Sequence, residues 1–294
     1  MKFRRIYRSN LQRLTSQSCE GKEWVDLDEH PAFCRPGIET SPCEATGIAL
    51  PFQPLSFRDF MLYESHVVNA SRGYARRFLP KIHGLASAYE SLTKRTFPIF
   101  KPRPLWYRQP IYYMSNHLAF VPSGTPVRAP SYTTALDYEL ELGFVLARPL
   151  FNASPAEALA AIGAFVVLND FSARDVQRDE MQSGFGPQKS KHFLNSMSET
   201  AITADELLPF VNDLRASVSI NGKEVAATST AGMRYSLGEV LAHASREERL
   251  LPGEFFGTGT LPGGCALENG CWLKSGDVLH LQIDRVGEIE HQIL

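Results

Sequence analysis

No apolar run in the chain is long enough to span a bilayer, which takes about 20 residues, so a membrane-crossing role is not expected. The charged opening MKFRRIYR is not followed by the apolar stretch of a secretory signal. Cysteine is scarce. Cys19, Cys34, Cys43, Cys265 and Cys271 make an odd set of five with no C-x-x-C pair. That pattern argues against a disulfide framework and for a reduced, cytoplasmic setting. A zinc site built from Cys19, Cys34 and Cys43 would require an irregular spacing and is disfavoured. Charge of one sign is lacking too: 30 Lys and Arg against 32 Asp and Glu leave −2. Nothing there attracts nucleic acid or an anionic membrane surface. The local basic runs MKFRRIYR and YARRF read as solvated surface. A Gly-rich phosphate loop, an internal repeat and low-complexity sequence are all missing.

What is present suits a globular protein. The 294 residues, 44% apolar and 21% charged, can bury a large core. Residues 1–50 show weak periodicity and several Pro and Gly breakers, as an N-terminal segment or small subdomain would. Stronger patterns fill residues 51–294. Ser154, Pro155 and Glu157 form the start signal of a helix that should end near Gly163. AFVVL then reads as a buried strand, and NDFSARDVQRDEM as a helix or helical turn. RASVSINGKEVAAT predicts a hairpin turning at Asn221-Gly222. SLGEVLAHASREE predicts an amphipathic helix, and the C-terminal stretch from Leu273 two strands joined by a tight turn. Strands dominate and helices are interspersed.

DYELELGFVLARP has the period of a strand, with Leu140, Leu142, Phe144 and Leu146 on one face. Glu139 and Glu141 share the other. Two carboxylates that close repel unless water, a raised pKa or a cation resolves the conflict. The plain reading is an exposed, solvated face. Asp170, at the mouth of an apolar run, must be solvated or paired, or must cap the helix that follows. Asp59, in SFRDFMLYESH, could by itself be an ordinary surface acid.

Taken in order, DFMLYESH, SGTPVRAP, DYELELGFVL, VVLNDFSARDVQ, KSKHF and GTGTLPGGCALENGCW resemble the fumarylacetoacetate hydrolase family over residues 55–294. Asp59 with His66 seven residues later is similar to the hydrolase branch. The resemblance implies an α+β, strand-rich fold: the family's mixed β-sandwich roll as catalytic domain, with peripheral helices. It also implies a homodimer, a small keto-acid substrate, and no nucleic-acid or membrane partner. The family's metal ligands fall on Asp59, Glu139, Glu141 and Asp170. These hard oxygen donors suit Mg²⁺ or Ca²⁺, with Mn²⁺ a further candidate, and argue against zinc or copper.

His66 matches the family's general base, and Glu268 the glutamate that orients it. Lys191 matches the lysine facing the metal, with Lys189 a rival two residues away, and Gln177 closes the N-D-x-S-A-R-D-x-Q motif. Tyr113 and Thr260 resemble residues that bond substrate oxygens, although Tyr112 blurs the tyrosine assignment. The family's arginine for a remote carboxylate falls among Arg72, Arg76 and Arg77. Arg174 and Asp175 are expected to form an ion pair supporting the loop. Leu194 and Asn195 depart from the family pattern of a small residue then threonine, and could reshape the pocket floor.

The implied activity is metal-assisted hydrolysis of a carbon–carbon bond in a 1,3-diketo acid such as fumarylacetoacetate or an acylpyruvate. His66 would activate water, Lys191 and Gln177 would stabilise the alkoxide, and the leaving carbanion would depart as an enolate. Two rivals stand beside it. One keeps the site for oxaloacetate decarboxylation, keto-acid isomerisation or dehydration. The other is a non-enzymatic protein using a metal for folding, which an intact His66, Lys191 and Glu268 argue against.

Overall fold

The computed structural model describes residues 1–11, 13–34, 41–43 and 47–294. Its largest sheet runs Glu23–Asp26, Arg13–Glu20, Lys2–Arg8, Thr200–Thr203, Ile162–Asp170, Leu140–Leu146, Glu254–Gly257, Ser56–Phe60, Tyr112–Ser115. Neighbours are antiparallel, except that Glu254–Gly257 and Ser56–Phe60 run parallel. A second, antiparallel sheet runs Lys223–Ser229, Arg215–Ile220, Val278–Ile283, Gly287–Gln292.

The strand Leu140–Leu146 is buried along its whole length. Leu140, Leu142, Phe144 and Leu146 pack with Val218, Leu279, Leu281 and Ile289 of the second sheet. The opposite face is not solvated. Val145 joins Val166, Phe255, Phe57 and Phe120 in a second core, closed by Phe3, Phe33 and Phe52 from the N-terminal part of the chain. Two cores on two faces explain why Ile162–Asp170 reads as a continuous apolar run rather than an alternation.

Lys2–Arg8 extends the large sheet by pairing with Thr200–Thr203. The basic opening is therefore not solvated surface. Arg5 is 4% exposed and donates to the Leu50 carbonyl at 2.8 Å, and Arg4 lies 4.1 Å over the Trp24 ring. Alternation puts Phe3 and Arg5 on the inward side. All five cysteines lack disulfides, and Cys19, Cys34 and Cys43 form no metal-capable group among the described residues.

Local signals place several elements as expected. Ser154 and Glu157 close a capping box. The helix is Pro155–Ala160 and stops short of Gly163, because Ile162 already pairs with Leu146. Asn221 and Gly222 both take positive φ, as a tight two-residue hairpin turn requires. Ser236 caps Leu237–Ala244. Two helices were not legible as such, Glu64–Phe78 and Pro80–Thr93. No helix among the described residues is long and apolar enough to cross a membrane.

His291 is a pH-sensitive strut in the core. Its Nδ1–H donates to the Thr125 carbonyl at 2.7 Å, its Nε2 has no partner, and its ring packs on Phe171. Burial lowers its pKa from 6.5 to about 4. The unfolded chain binds a proton in that window and the folded chain does not, so stability is lost as pH falls through it. Between about pH 7 and pH 5 the protein should lose about 2 kcal/mol more than His291→Gln, read from urea midpoints. Equal losses would remove His291 from the acid response.

Candidate active site

Three strands deliver four carboxylates to one end of the large sheet. Asp59 comes from Ser56–Phe60, Glu141 from Leu140–Leu146, Asp170 from the end of Ile162–Asp170, and Glu139 from just before Leu140. Strand spacing puts Glu139 and Glu141 on the same side. Ligand oxygens of all four lie within 4.8 Å of one another, and all four residues are buried. Hence the solvated-face reading fails for Glu139 and Glu141, and the surface reading fails for Asp59. Asp170 caps no helix: the following helix is Arg174–Gln182, with Ala173 at its N-cap.

Cationic side chains reach only one side of this cluster, that of Glu139 and Asp170. Lys191 bonds both Glu139 and Asp170. Tyr113 donates its hydroxyl to Asp170 at 2.5 Å, and the Asn195 amide, turned with its nitrogen inward, donates to Asp170 at 2.7 Å. Arg174 bonds Glu139 and also donates to Asp137 at 2.8 Å and Gln177 at 2.9 Å. Asp175 instead accepts from Thr133 and Thr134, so the expected Arg174–Asp175 pair is absent. Burial would raise Glu139, but Arg174 and then Lys191 pull it below the usual carboxylate range. Burial also opposes the charge on Lys191, yet Asp170 and Glu139 raise it above its ordinary value.

Asp59 and Glu141 have no cationic partner. Burial first, then the field of Asp170 for Asp59 and of Asp59 for Glu141, pushes both well above the usual range. Asp59 Oδ1 and Glu141 Oε1 have no hydrogen-bond partner at all. Orphaned buried oxygens in an all-oxygen cluster fit a hard divalent cation. Gly257 makes the approach possible. A Cβ there would sit 2.7 Å from Glu141 Oε2 and closer still to Asp59 Oδ1. Gly257→Ala should therefore abolish metal binding by calorimetry, and turnover with it, while circular dichroism keeps the folded signature. Retained affinity would show that the two carboxylates do not share an ion.

Beside the cluster stands a histidine–carboxylate dyad. His66, on Glu64–Phe78, faces Glu268 with Nδ1 2.8 Å from Oε2. Glu268 rides on the short helix Ala266–Asn269. Asp137 anchors that helix by accepting from the Ala266 and Leu267 amides at 2.7 and 3.3 Å, and it also holds Arg174. One buried acid thus ties the dyad to the metal-side network. Asp137 was missed in the sequence, though it lies two residues before Glu139 and so belongs to the same alternation.

A cavity of about 470 Å³ opens onto these groups. Asp59, Glu139, Glu141, His66, Lys191, Gln177, Tyr113 and Thr260 line it. Asp170 and Glu268 stand behind them. Arg72 and Arg76 are not brought there. Arg72 bonds Glu90 and Asn69, and both arginines line a separate hollow, while Arg77 stacks on Trp272. Arg178, from Arg174–Gln182, is the arginine lining the cavity besides Arg174, and no motif marked it. Between the tyrosines, the hydroxyl that reaches the cluster is that of Tyr113; Tyr112 packs its ring on Phe60. Lys189 lies outside, exposed, with its backbone amide on Glu180. Leu194 packs against the main core and Asn195 bonds Asp170, so neither lines the cavity floor.

With this geometry in place, the relatives are informative. Residues 81–294 match the model of the fumarylacetoacetate (FAA) hydrolase C-terminal domain, and the chain belongs to that family. The mitochondrial oxaloacetate tautomerase FAHD1 of Homo sapiens is 28% identical over 155 residues, 53% of this chain and 70% of that protein. The mitochondrial oxaloacetate tautomerase fahd2 of Xenopus laevis is 28% identical over 188 residues, 64% of this chain and 59% of its own length. Among solved structures, 5-carboxymethyl-2-hydroxymuconate delta-isomerase from Mycobacterium smegmatis superposes with a TM-score of 0.71 at 20% identity, covering 100% of this chain and 99% of its own. Fumarylpyruvate hydrolase from Pseudomonas aeruginosa, solved with Mn²⁺ and pyruvate, gives 0.63 at 19% identity over 88% of this chain and 97% of its own. The strand-rich α+β fold is that of the family.

Proposed function

We propose that the protein is a metal-dependent hydrolase that cleaves a carbon–carbon bond in a 1,3-diketo acid. The observation that carries this reading is His66, held by Glu268, on the same cavity as Asp59, Glu139 and Glu141 of the carboxylate cluster. Asp59, Glu139, Glu141 and Asp170 would hold Mg²⁺, Ca²⁺ or Mn²⁺, which when bound supplies Lewis-acid polarisation of a substrate carbonyl. Glu268 accepts from Nδ1–H of His66 and fixes the tautomer, leaving Nε2 to take the proton of an attacking water. Lys191 and Gln177 face the carbon under attack and stabilise the oxyanion that forms there. Tyr113 and Thr260 orient substrate oxygens from the cavity wall. The bond then breaks, and the imidazolium returns its proton to the leaving carbon.

A second reading, tautomerisation or decarboxylation of oxaloacetate, is favoured by the names of the matching relatives. It needs no attacking water. Turnover of acylpyruvates in H₂¹⁸O separates the two: hydrolysis places label in a newly formed carboxylate, and the other reactions do not. If oxaloacetate is the better substrate by kcat/KM and no label enters the product, the hydrolase reading fails. A homodimer and a cytoplasmic setting accompany the proposal, supported by the family resemblance and the cysteine pattern.

A further inference from the structure

We propose that His66, Cys265 and Glu268 form a second metal site, for a thiophilic divalent cation such as Zn²⁺, whose occupation disables His66 as a base. The three offer an imidazole, a thiol and a carboxylate whose ligand atoms lie within 4.8 Å of one another. His66 Nδ1 is 2.8 Å and Cys265 Sγ 3.5 Å from the same oxygen, Glu268 Oε2. The other oxygen, Oε1, has no partner although the Glu268 side chain is only 3% exposed. A buried carboxylate with an idle oxygen costs free energy that a cation would recover. Bonds of about 2.0–2.3 Å to nitrogen, oxygen and sulfur are reached by shifts of about an ångström or less.

Donor chemistry keeps the two sites apart. Asp59, Glu139, Glu141 and Asp170 provide oxygen alone, which suits a hard cation, whereas a sulfur and an imidazole favour a softer one. The second site also has its own approach. The hollow of about 360 Å³ lined by Asn69, Arg72, Gly73, Arg76 and Asn269 reaches Glu268. On binding, the Cys265 thiol releases its proton to solvent and its sulfur bonds the ion. The ion takes the place of the proton on Nδ1 of a neutral His66, and that single ring proton moves to Nε2 by way of solvent, giving the other tautomer. That nitrogen becomes a donor and cannot accept a proton from water. No electrons are transferred.

Co²⁺ is the probe for binding, since a thiolate ligand gives it a sulfur-to-cobalt charge-transfer band that oxygen ligands do not. Titrating Mg²⁺-loaded protein with Co²⁺ should produce this band at one equivalent. It should vanish in Cys265→Ser, which keeps the other four cysteines, and persist in Glu141→Gln, which damages only the oxygen cluster. No band, or a band that survives Cys265→Ser, overturns the site. This arm does not depend on the reaction catalysed, so it can fail or succeed separately from the hydrolase reading. Inhibition does rest on that reading. Zn²⁺ should inhibit the native protein at least tenfold more tightly than Cys265→Ser, each measured against its own uninhibited rate. Equal sensitivity with the cobalt band present overturns the switch.

Discussion

Replacing His66 with alanine should lower kcat by about 10²–10⁴ and leave affinity for the activating metal nearly unchanged. The structure separates these two effects. His66 directs Nδ1 at Glu268 and is no member of the oxygen cluster. On the proposed reading metal affinity would reside in Asp59, Glu139, Glu141 and Asp170, of which Glu139 and Asp170 are held by Lys191, Arg174, Tyr113 and Asn195. Glu268→Gln should cost less than His66→Ala. A glutamine oxygen can still accept from Nδ1–H, so the ring orientation survives while support for the imidazolium is lost. Steady-state kinetics on an acylpyruvate, with calorimetric titration of Mg²⁺, would read both. A His66→Ala protein that hydrolyses its substrate undiminished would remove His66 from the chemistry.

The site was legible where its residues sit inside local patterns. Glu139 and Glu141 stand on one strand, and Asp170 ends another. A motif of a few residues therefore reports a feature that the sheet then assembles. Asp59 and His66 came instead from the family resemblance, since Asp59 alone reads as a surface acid and the helix Glu64–Phe78 that carries His66 was not legible. Arg72 was not placed correctly, because its partner is a matter of helix packing. Arg72 lies on Glu64–Phe78, and it is the second helix, Pro80–Thr93, that presents Glu90 to it. No short-range rule announces that pairing. Arg178 went unmarked because exposure at a cavity mouth leaves no periodicity.

The fold shows the same division. Capping boxes at Ser154 and Ser236 and the Asn221-Gly222 turn act within a few residues, and each forms. Residues 2–8 alternate in burial, but the alternation is hidden because the inward positions include Arg5. What makes Arg5 tolerable inside is the Leu50 carbonyl, some 45 residues away in the chain. The strand Leu140–Leu146 misled in the opposite direction. Its alternation suggested one wet face, whereas a second core and a carboxylate cluster cover that face.

Glu139 and Glu141, equivalent by spacing, should behave oppositely in the metal-free protein. Glu139 is held between Arg174 and Lys191. Glu139→Gln leaves two buried cations short of a counter-charge, and losing one partner of a buried pair costs about 3–5 kcal/mol. Glu141 has only like charges as electrostatic neighbours, and its Oε1 is unbonded. Glu141→Gln removes one of those charges and offers an amide N–H to Asp59. The Gly259 amide, 3.0 Å from Oε2, can still donate to the glutamine oxygen. A new hydrogen bond to a buried carboxylate contributes about 1–3 kcal/mol. Chelated Glu141→Gln should therefore melt above the chelated native protein, and chelated Glu139→Gln well below it. Added Mg²⁺ should reverse the first difference, since a cation stabilises the native protein by binding to it and finds a weakened site in the variant. Both variants should lose turnover. Calorimetric melting curves with and without metal read all four states. A Glu141→Gln protein that melts lower than the native one when both are chelated would mean that Glu141 already has a partner for its charge, and that the cluster does not need an ion to hold its carboxylates together.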